Sequence, residues 1–235
     1  MYREKLYKKY FSSTKKSRED LEKVFNLSLP LHSAIKLPSD LNSRIIDIGC
    51  GTGAFLNTLR KKGYNNIEGV EKGEEQIEFL KIKGLIVHND DILHFLNNCQ
   101  KTYDLITLFD VLEHFNKNEI VEIIPLLKEM LSENGCIVIR VPNAEAVLKG
   151  SIMYGDFTHE TFFTHRSILQ IFRTFGFSEV AVFPVEGMSL AIKARIKYDI
   201  LKLYFRFYRF LLSIDNSASL TYFIPSQNIL GIIKK

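Results

Sequence analysis

Long apolar runs are missing from this chain, and none approaches the roughly 20 residues that a bilayer-spanning helix needs. The opening, Met1-Tyr2-Arg3-Glu4-Lys5, has no apolar stretch behind it of the kind a secretory signal carries, so the cytoplasm is the default compartment. Cysteine is scarce. Cys50, Cys99 and Cys136 are odd in number and widely spaced, which suits reduced thiols rather than a disulfide framework or a zinc site, and no metal is expected. A bulk charge of one sign is lacking too: the net charge is +4, a mild excess that reads as a solvated basic surface, although the basic residues gather towards both ends. Internal repeats, low-complexity tracts and a dividing linker are also absent. What is present is 235 residues, 46% hydrophobic and 25% charged, which fits one α/β domain with appended elements over 1–235.

The chain is organised around Arg44-Ile45-Ile46-Asp47-Ile48-Gly49-Cys50-Gly51-Thr52-Gly53, a β-branched run that stops at three glycines spaced by single residues. It reads as a strand covered on both faces, a tight loop, and then a helix whose period begins at Phe55, Leu56 and Leu59. Glycines suit such a loop because the missing Cβ permits positive φ and lets the backbone approach a ligand. Gly49, Gly51 and Ala54 also satisfy the loose pattern G-x-G-x-x-G/A, so a dinucleotide and another nucleoside cofactor both fit at this point.

Further along, Asn66–Glu71, Leu85–Val87, Tyr103–Phe109, Cys136–Val141 and Glu179–Val185 read as strands, with Ile229–Ile233 as a seventh. Helices are expected before Pro30, through Ile77 to Leu80, over Ile92–Asn98, over Ile120–Leu131 with a kink or restart at Pro125, and over Ser167–Phe175. Asn134-Gly135 reads as a turn into the fifth strand. Strands alternating with helices at this spacing call for a doubly wound sheet with its ligand at the carboxyl ends of the strands, where Glu71, Asp91 and Asp110 lie. Glu71 follows Gly49 by about the 20 residues expected of the acid that grips ribose hydroxyls. Asp47 occupies a position that is usually apolar in dinucleotide sites, and the chain ends about when the sheet is complete, leaving no second domain for a hydride acceptor.

Asp47-Ile48-Gly49-Cys50-Gly51-Thr52-Gly53 resembles the first motif of class I S-adenosylmethionine-dependent methyltransferases, and Asp110-Val111-Leu112-Glu113-His114 resembles their segment after strand four. The resemblance covers roughly Asn42 to Val185. It implies a Rossmann-like, mostly parallel seven-stranded sheet with a reversed last hairpin, an arm or lid over 1–41, a cofactor-binding core over 42–185, and a helix and last strand over 186–235. It also implies S-adenosylmethionine as cofactor, held by Asp47, Gly49, Gly51, Gly53, Glu71, Asp91, Ile92, Phe109 and Asp110. Glu71 departs slightly from the family, where aspartate is also common.

A hydroxyl acceptor benefits from a general base, and histidine is the side chain matched to neutral pH. His114 follows the fourth strand, and His159 lies in a long aperiodic segment with Asp156 placed to orient it; His165 is explained by capping of the next helix. Val141-Pro142-Asn143, Asp156-Phe157-Thr158-His159 and Phe163-Thr164 resemble bacterial methyltransferases of cell-surface sugar and polysaccharide assembly. That resemblance implies O-methylation of a sugar hydroxyl in a glycan or its precursor. The alternatives are a small aromatic or quinone-like acceptor and a cofactor-binding protein without turnover. Nucleic-acid methylation is disfavoured, because base methylation often uses an Asn/Asp-Pro-Pro-aromatic segment where this chain has Asp110-Val111-Leu112-Glu113. Over 192–214, Arg195, Lys202, Arg206 and Arg209 flank the apolar stripe Ile196, Ile200, Leu203, Phe207 and Phe210. Such a helix packs on the domain or a second subunit, or lies peripherally on an anionic inner-membrane surface.

Overall fold

A computed structural model describes residues 2–7, 17–27, 31–146, 150–185, 200, 203–208, 210, 224 and 226–235. The strands are β1 (Ile45–Ile48), β2 (Ile67–Glu71), β3 (Ile86–Asn89), β4 (Tyr103–Phe109), β5 (Leu131–Pro142), β6 (Glu179–Val185) and β7 (Asn228–Lys234). The helices are α1 (Tyr2–Tyr7), α2 (Arg18–Asn26), α3 (Ala54–Lys61), α4 (Glu74–Ile82), α5 (Ile92–Asn98), α6 (Lys117–Glu129), α7 (Gly150–Met153) and α8 (His165–Thr174), with a 3-10 turn at Leu112–His114.

The seven strands form one sheet in the order β3-β2-β1-β4-β5-β7-β6, as expected of the doubly wound α/β fold. β1 to β5 pair in parallel, and β7 runs antiparallel between β5 and β6. Strand order reverses direction at β1 and β4, and the crevice outside their carboxyl ends is where such sheets bind ligands. Gly49 and Asp110 are the first residues beyond those two ends.

Alternation along β1 explains how its apolar run covers both faces. Ile46 and Ile48 join Ile106, Leu108, Ile137 and Ile139 in a core closed by Ile120, Ile123, Ile124 and Leu127 of α6 and by Ile168 and Phe172 of α8. Ile45 faces the opposite layer with Leu105 and Val138, under Phe55, Leu56 and Leu59 of α3 and Leu21 and Phe25 of α2. Each of these fully buried aliphatic side chains contributes about 1.5–3 kcal/mol. The periodic positions named from sequence are therefore the ones that pack.

Two elements depart from expectation by more than a residue or two at their ends. Helix α6 runs Lys117–Glu129 as one element straight through Pro125. Pro125 removes the donor for the Val121 carbonyl, but Val121 is 48% exposed, so water can take that bond. Strand β5 begins at Leu131, ahead of the expected Cys136: Tyr103 pairs with Leu131, and after a register shift Leu105 pairs with Cys136. Asn134-Gly135 thus lies inside an irregular strand rather than in a turn before it. A Cβ on Gly135 would stand 2.9 Å from the Tyr103 carbonyl oxygen, which explains glycine there.

Of 192–214, residues 200, 203–208 and 210 are helical, and the rest of the expected basic helix lies outside the described residues. No described helix is long and apolar enough to cross a membrane.

Candidate functional site

Beyond β1 the chain turns through Gly49, Gly51 and Gly53, all at positive φ (69°, 52° and 71°). The three are not equivalent. A Cβ on Gly49 would meet Val111 Cγ2 at 2.6 Å, and one on Gly53 would meet Leu80 Cδ2 at 2.4 Å, so both keep neighbouring elements close. A Cβ on Gly51 would meet nothing within 4 Å, because Gly51 faces the cavity. Glu71, at the end of β2, fastens the loop: its Oε2 accepts from Gly51 N at 2.8 Å, and its Oε1 accepts from Lys72 N at 2.9 Å and Gly73 N at 2.8 Å.

Asp110 closes the opposite wall at φ 56°, the one positive φ outside glycine among the described residues. Strain of that kind gathers at functional sites, and here an ion pair with Arg140 holds it. The Arg140 guanidinium in turn lies over the Phe109 ring, 5.3 Å from its centroid. Asp91 caps α5 by accepting from Leu93 N at 3.1 Å, and its other oxygen pairs with Lys72 Nζ at 2.9 Å. Burial pushes the Asp91 carboxyl up, but the Lys72 contact and the α5 amides outweigh it and leave it below the usual value.

Between these walls lies a cavity of about 260 Å³. Gly49, Gly51, Glu71, Asp91, Ile92, Phe109, Asp110 and His114 line it, joined by Tyr7, Lys72, Gly73, Gln76, Val111 and Phe115. Asp47 and Gly53 do not line it. Asp47 is buried beneath the loop, where its Oδ1 accepts from Thr107 Oγ1 at 2.6 Å and burial raises its carboxyl to about 7. A separate cavity of about 310 Å³, walled by His88, Phe95, Lys101 and Tyr103, holds none of the glycine-loop residues.

The two histidines singled out from sequence meet, although 45 positions apart. Their rings stand edge to face with centroids 4.9 Å apart. The segment carrying His159 is tied down: Glu160 N and Thr161 N donate to the Glu113 carbonyl at 2.7 and 3.1 Å, and Ala144 N donates to the Phe163 carbonyl at 2.7 Å. Hydrogen bonds also set both tautomers. Thr158 Oγ1 donates to Asp156 Oδ1 at 2.6 Å, so at 2.8 Å it accepts from His114 Nδ1. His159 Nδ1 donates to the Met153 carbonyl at 3.0 Å. In each ring the basic lone pair therefore lies on Nε2. Burial, and then the neighbouring His159, hold His114 below its ordinary value, so it is neutral at pH 7. Asp156 thus orients His114 through Thr158, whereas the sequence suggests that it serves His159.

Glu113 is the site residue that sequence reading missed. It is 1% exposed, and its two carboxylate oxygens are the buried side-chain polar atoms without a partner among the described residues. Burial, and then the charge of Asp110, hold its carboxyl well above the usual range. Glu113, His114 and His159 each bring one ligand-type atom within 4.8 Å of the others, whereas the three cysteines are free thiols. The only sequence signal was an acid beside His114 in a short apolar segment. His165, expected as a cap, is instead the buried first residue of α8, with Thr164 as its N-cap and Nδ1 3.1 Å from Glu145 Oε2.

A family model described as a methyltransferase domain matches residues 18–182, from α2 to β6. The chain belongs to that family. Its methyl donor is S-adenosylmethionine, and Gly51, where a Cβ would meet nothing within 4 Å, lines the cavity together with Glu71 and Asp91. The methyltransferase is similar in fold to an S-adenosylmethionine-dependent methyltransferase from Archaeoglobus fulgidus, at 20% identity and TM-score 0.62, with 98% of each chain covered. A second similar structure, from Mesorhizobium loti, is 15% identical with a TM-score of 0.56, covering 85% of this chain and 94% of that one. A third, an O-methyltransferase family protein from Burkholderia thailandensis, is 13% identical with a TM-score of 0.55, covering 93% and 56%. No curated protein matches the sequence.

Proposed function

We propose that this methyltransferase methylates a sugar hydroxyl in a cell-surface glycan or its precursor. The observation that carries the reading is His114, neutral and tautomer-fixed at the wall of the cofactor cavity, in ring contact with His159, whose Nδ1 is held by the Met153 carbonyl. When bound, S-adenosylmethionine supplies a methyl group already activated on a sulfonium. The protein's tasks are to align the acceptor, exclude water and draw off the hydroxyl proton. Gly49, Gly51, Glu71, Asp91, Ile92, Phe109 and Asp110 would hold the cofactor, with Asp47 and Gly53 supporting the loop from behind. The histidine pair meets the hydroxyl. Tyr7, which lines the cavity and stands edge-on to His114 with centroids 6.4 Å apart, makes the N-terminal arm a lid.

Two observations support a glycan acceptor at a membrane. The segment Asp156–His159, which resembles sugar and polysaccharide methyltransferases, brings His159 against His114, and Val141–Asn143, which shares that resemblance, ends at a bridge from Asn143 to Phe163. The helical residues Ile200, Leu203, Phe207 and Phe210 are each at least 58% exposed, an apolar stripe suited to lie on an anionic cytoplasmic leaflet where a lipid-linked glycan is found. The three free cysteines fit a reducing compartment. Purified protein is tested with S-adenosylmethionine against sugar nucleotides, lipid-linked glycans, catechols and quinols. The expected result is S-adenosylhomocysteine release with an O-methyl sugar product. Turnover on aromatic acceptors alone would replace the sugar reading, and cofactor binding without turnover on any acceptor would overturn the enzymatic one.

A further inference from the structure

Glu113 is an ionisable side chain buried without a hydrogen-bond partner among the described residues, and it lies near two histidines, of which His114 lines the cavity. Native proteins seldom leave a buried carboxylate in that condition unless something else completes it. Three explanations compete. The carboxyl could stay protonated as inert packing, it could serve the histidines as a proton store, or it could be one ligand of a cation.

The third explanation accounts for more of the arrangement. Glu113, His114 and His159 come from two distant segments, yet one ligand-type atom of each lies within 4.8 Å of the others. Around a single ion with bonds of about 2.1 Å, neighbouring ligand atoms stand roughly 3.0–3.4 Å apart. Binding an ion requires the side chains to rotate over the remaining distance. Each histidine also directs Nδ1 to a protein acceptor, Thr158 Oγ1 for His114 and the Met153 carbonyl for His159. That is how metal-binding histidines are commonly held, a hydrogen bond on one nitrogen orienting the ring. The backbone bonds from Glu160 and Thr161 to the Glu113 carbonyl keep the two segments in register. A merely packed acid would explain none of these.

We propose that Glu113, His114 and His159 form a binding site for a divalent cation beside the cofactor cavity. The inference deepens the proposed function and rests on it for the ion's role. Three protein ligands leave coordination positions open, the mark of a catalytic rather than a structural centre. One open position takes the acceptor's hydroxyl oxygen, and the ion's charge makes the hydroxyl proton easier to lose to solvent while fixing the oxygen in place. One carboxylate with two imidazoles favours manganese, cobalt or zinc over magnesium and calcium, which prefer oxygen ligands throughout.

The test uses the full chain, stripped with a chelator and dialysed. Calorimetric titrations with Mn²⁺, with Zn²⁺ and with S-adenosylmethionine are run on the wild type, Glu113→Gln and His159→Gln. Visible spectra of the Co²⁺-loaded proteins report the ligand set directly. The wild type is expected to bind one Mn²⁺ per chain, and each substitution to weaken that binding at least roughly tenfold and change the Co²⁺ bands, with cofactor affinity held within about twofold. No binding of Mn²⁺ or Zn²⁺ at millimolar concentration overturns the site, as does equal binding by wild type and variants. If Glu113→Gln does not fold, as judged by circular dichroism, His159→Gln alone decides. Ion binding that depends on these residues in a protein that does not bind S-adenosylmethionine would support the cation site and refute the methyltransferase reading of the cavity; the reverse pattern would do the opposite.

Discussion

Asp47 offers a measurable consequence of placing an acid inside a β-strand. It is 3% exposed, its Oδ1 bonds to Thr107 Oγ1 at 2.6 Å, and burial lifts its carboxyl from 3.8 to about 7. In the unfolded chain the group titrates near 4. Between pH 4 and 7 the native state therefore holds a proton that the unfolded state has lost, so stability must fall as pH rises through this window. Three pH units at about 1.4 kcal/mol each give a loss of about 4 kcal/mol at the upper end. Asp47→Asn keeps the shape and removes the titration. Urea denaturation of both proteins at intervals from pH 4 to 8 isolates the effect, because the other carboxylates cancel in the difference. The variant is expected to be within about 1 kcal/mol of the wild type at pH 4 and to gain up to about 4 kcal/mol on it by pH 8. A difference that stays flat across this range, or a carboxyl carbon resonance of Asp47 that titrates near 4, would refute the reasoning.

Other consequences can be checked with similar means. Gly51→Ala meets no protein atom, so it is expected to lose about 1 kcal/mol from its positive φ while weakening calorimetrically measured S-adenosylmethionine binding tenfold or more, because the methyl enters the cavity. Gly49→Ala is expected to cost more stability, about 2–4 kcal/mol in a denaturant titration, because Val111 must also move. Glu71→Ala leaves the amides of Gly51, Lys72 and Gly73 without their acceptor; a loss of about 1–3 kcal/mol and weaker cofactor binding are expected, and unchanged binding would remove Glu71 from the site. Thr158→Val unfastens His114 from Asp156, so turnover is expected to drop about tenfold or more while cofactor affinity is unchanged.

Sequence reading reached the sheet because most strands are apolar runs with glycine, asparagine or proline near their ends, and because the acids at the ends of β2, β3 and β4 mark where a doubly wound sheet binds. It went less far where partners come from distant segments. The early start of β5 depends on Tyr103 pairing with Leu131, and the local Asn134-Gly135 signal points to a turn instead. Gly53 is identical in kind to Gly51 in the motif, but only packing shows that it spares Leu80 rather than a ligand. Both histidines could be named from sequence. Their contact, the relay from Asp156 through Thr158, and the solitary burial of Glu113 required the long segment after β5 to be folded back.

The tethers on that segment divide the work of specificity. Glu160 and Thr161 hold to Glu113, and Ala144 holds to Phe163, so the histidine-bearing end of that segment is anchored to the turn after β4 and to the end of β5. The backbone can thus hold both imidazoles while an exposed side chain such as Tyr154 changes to suit another acceptor.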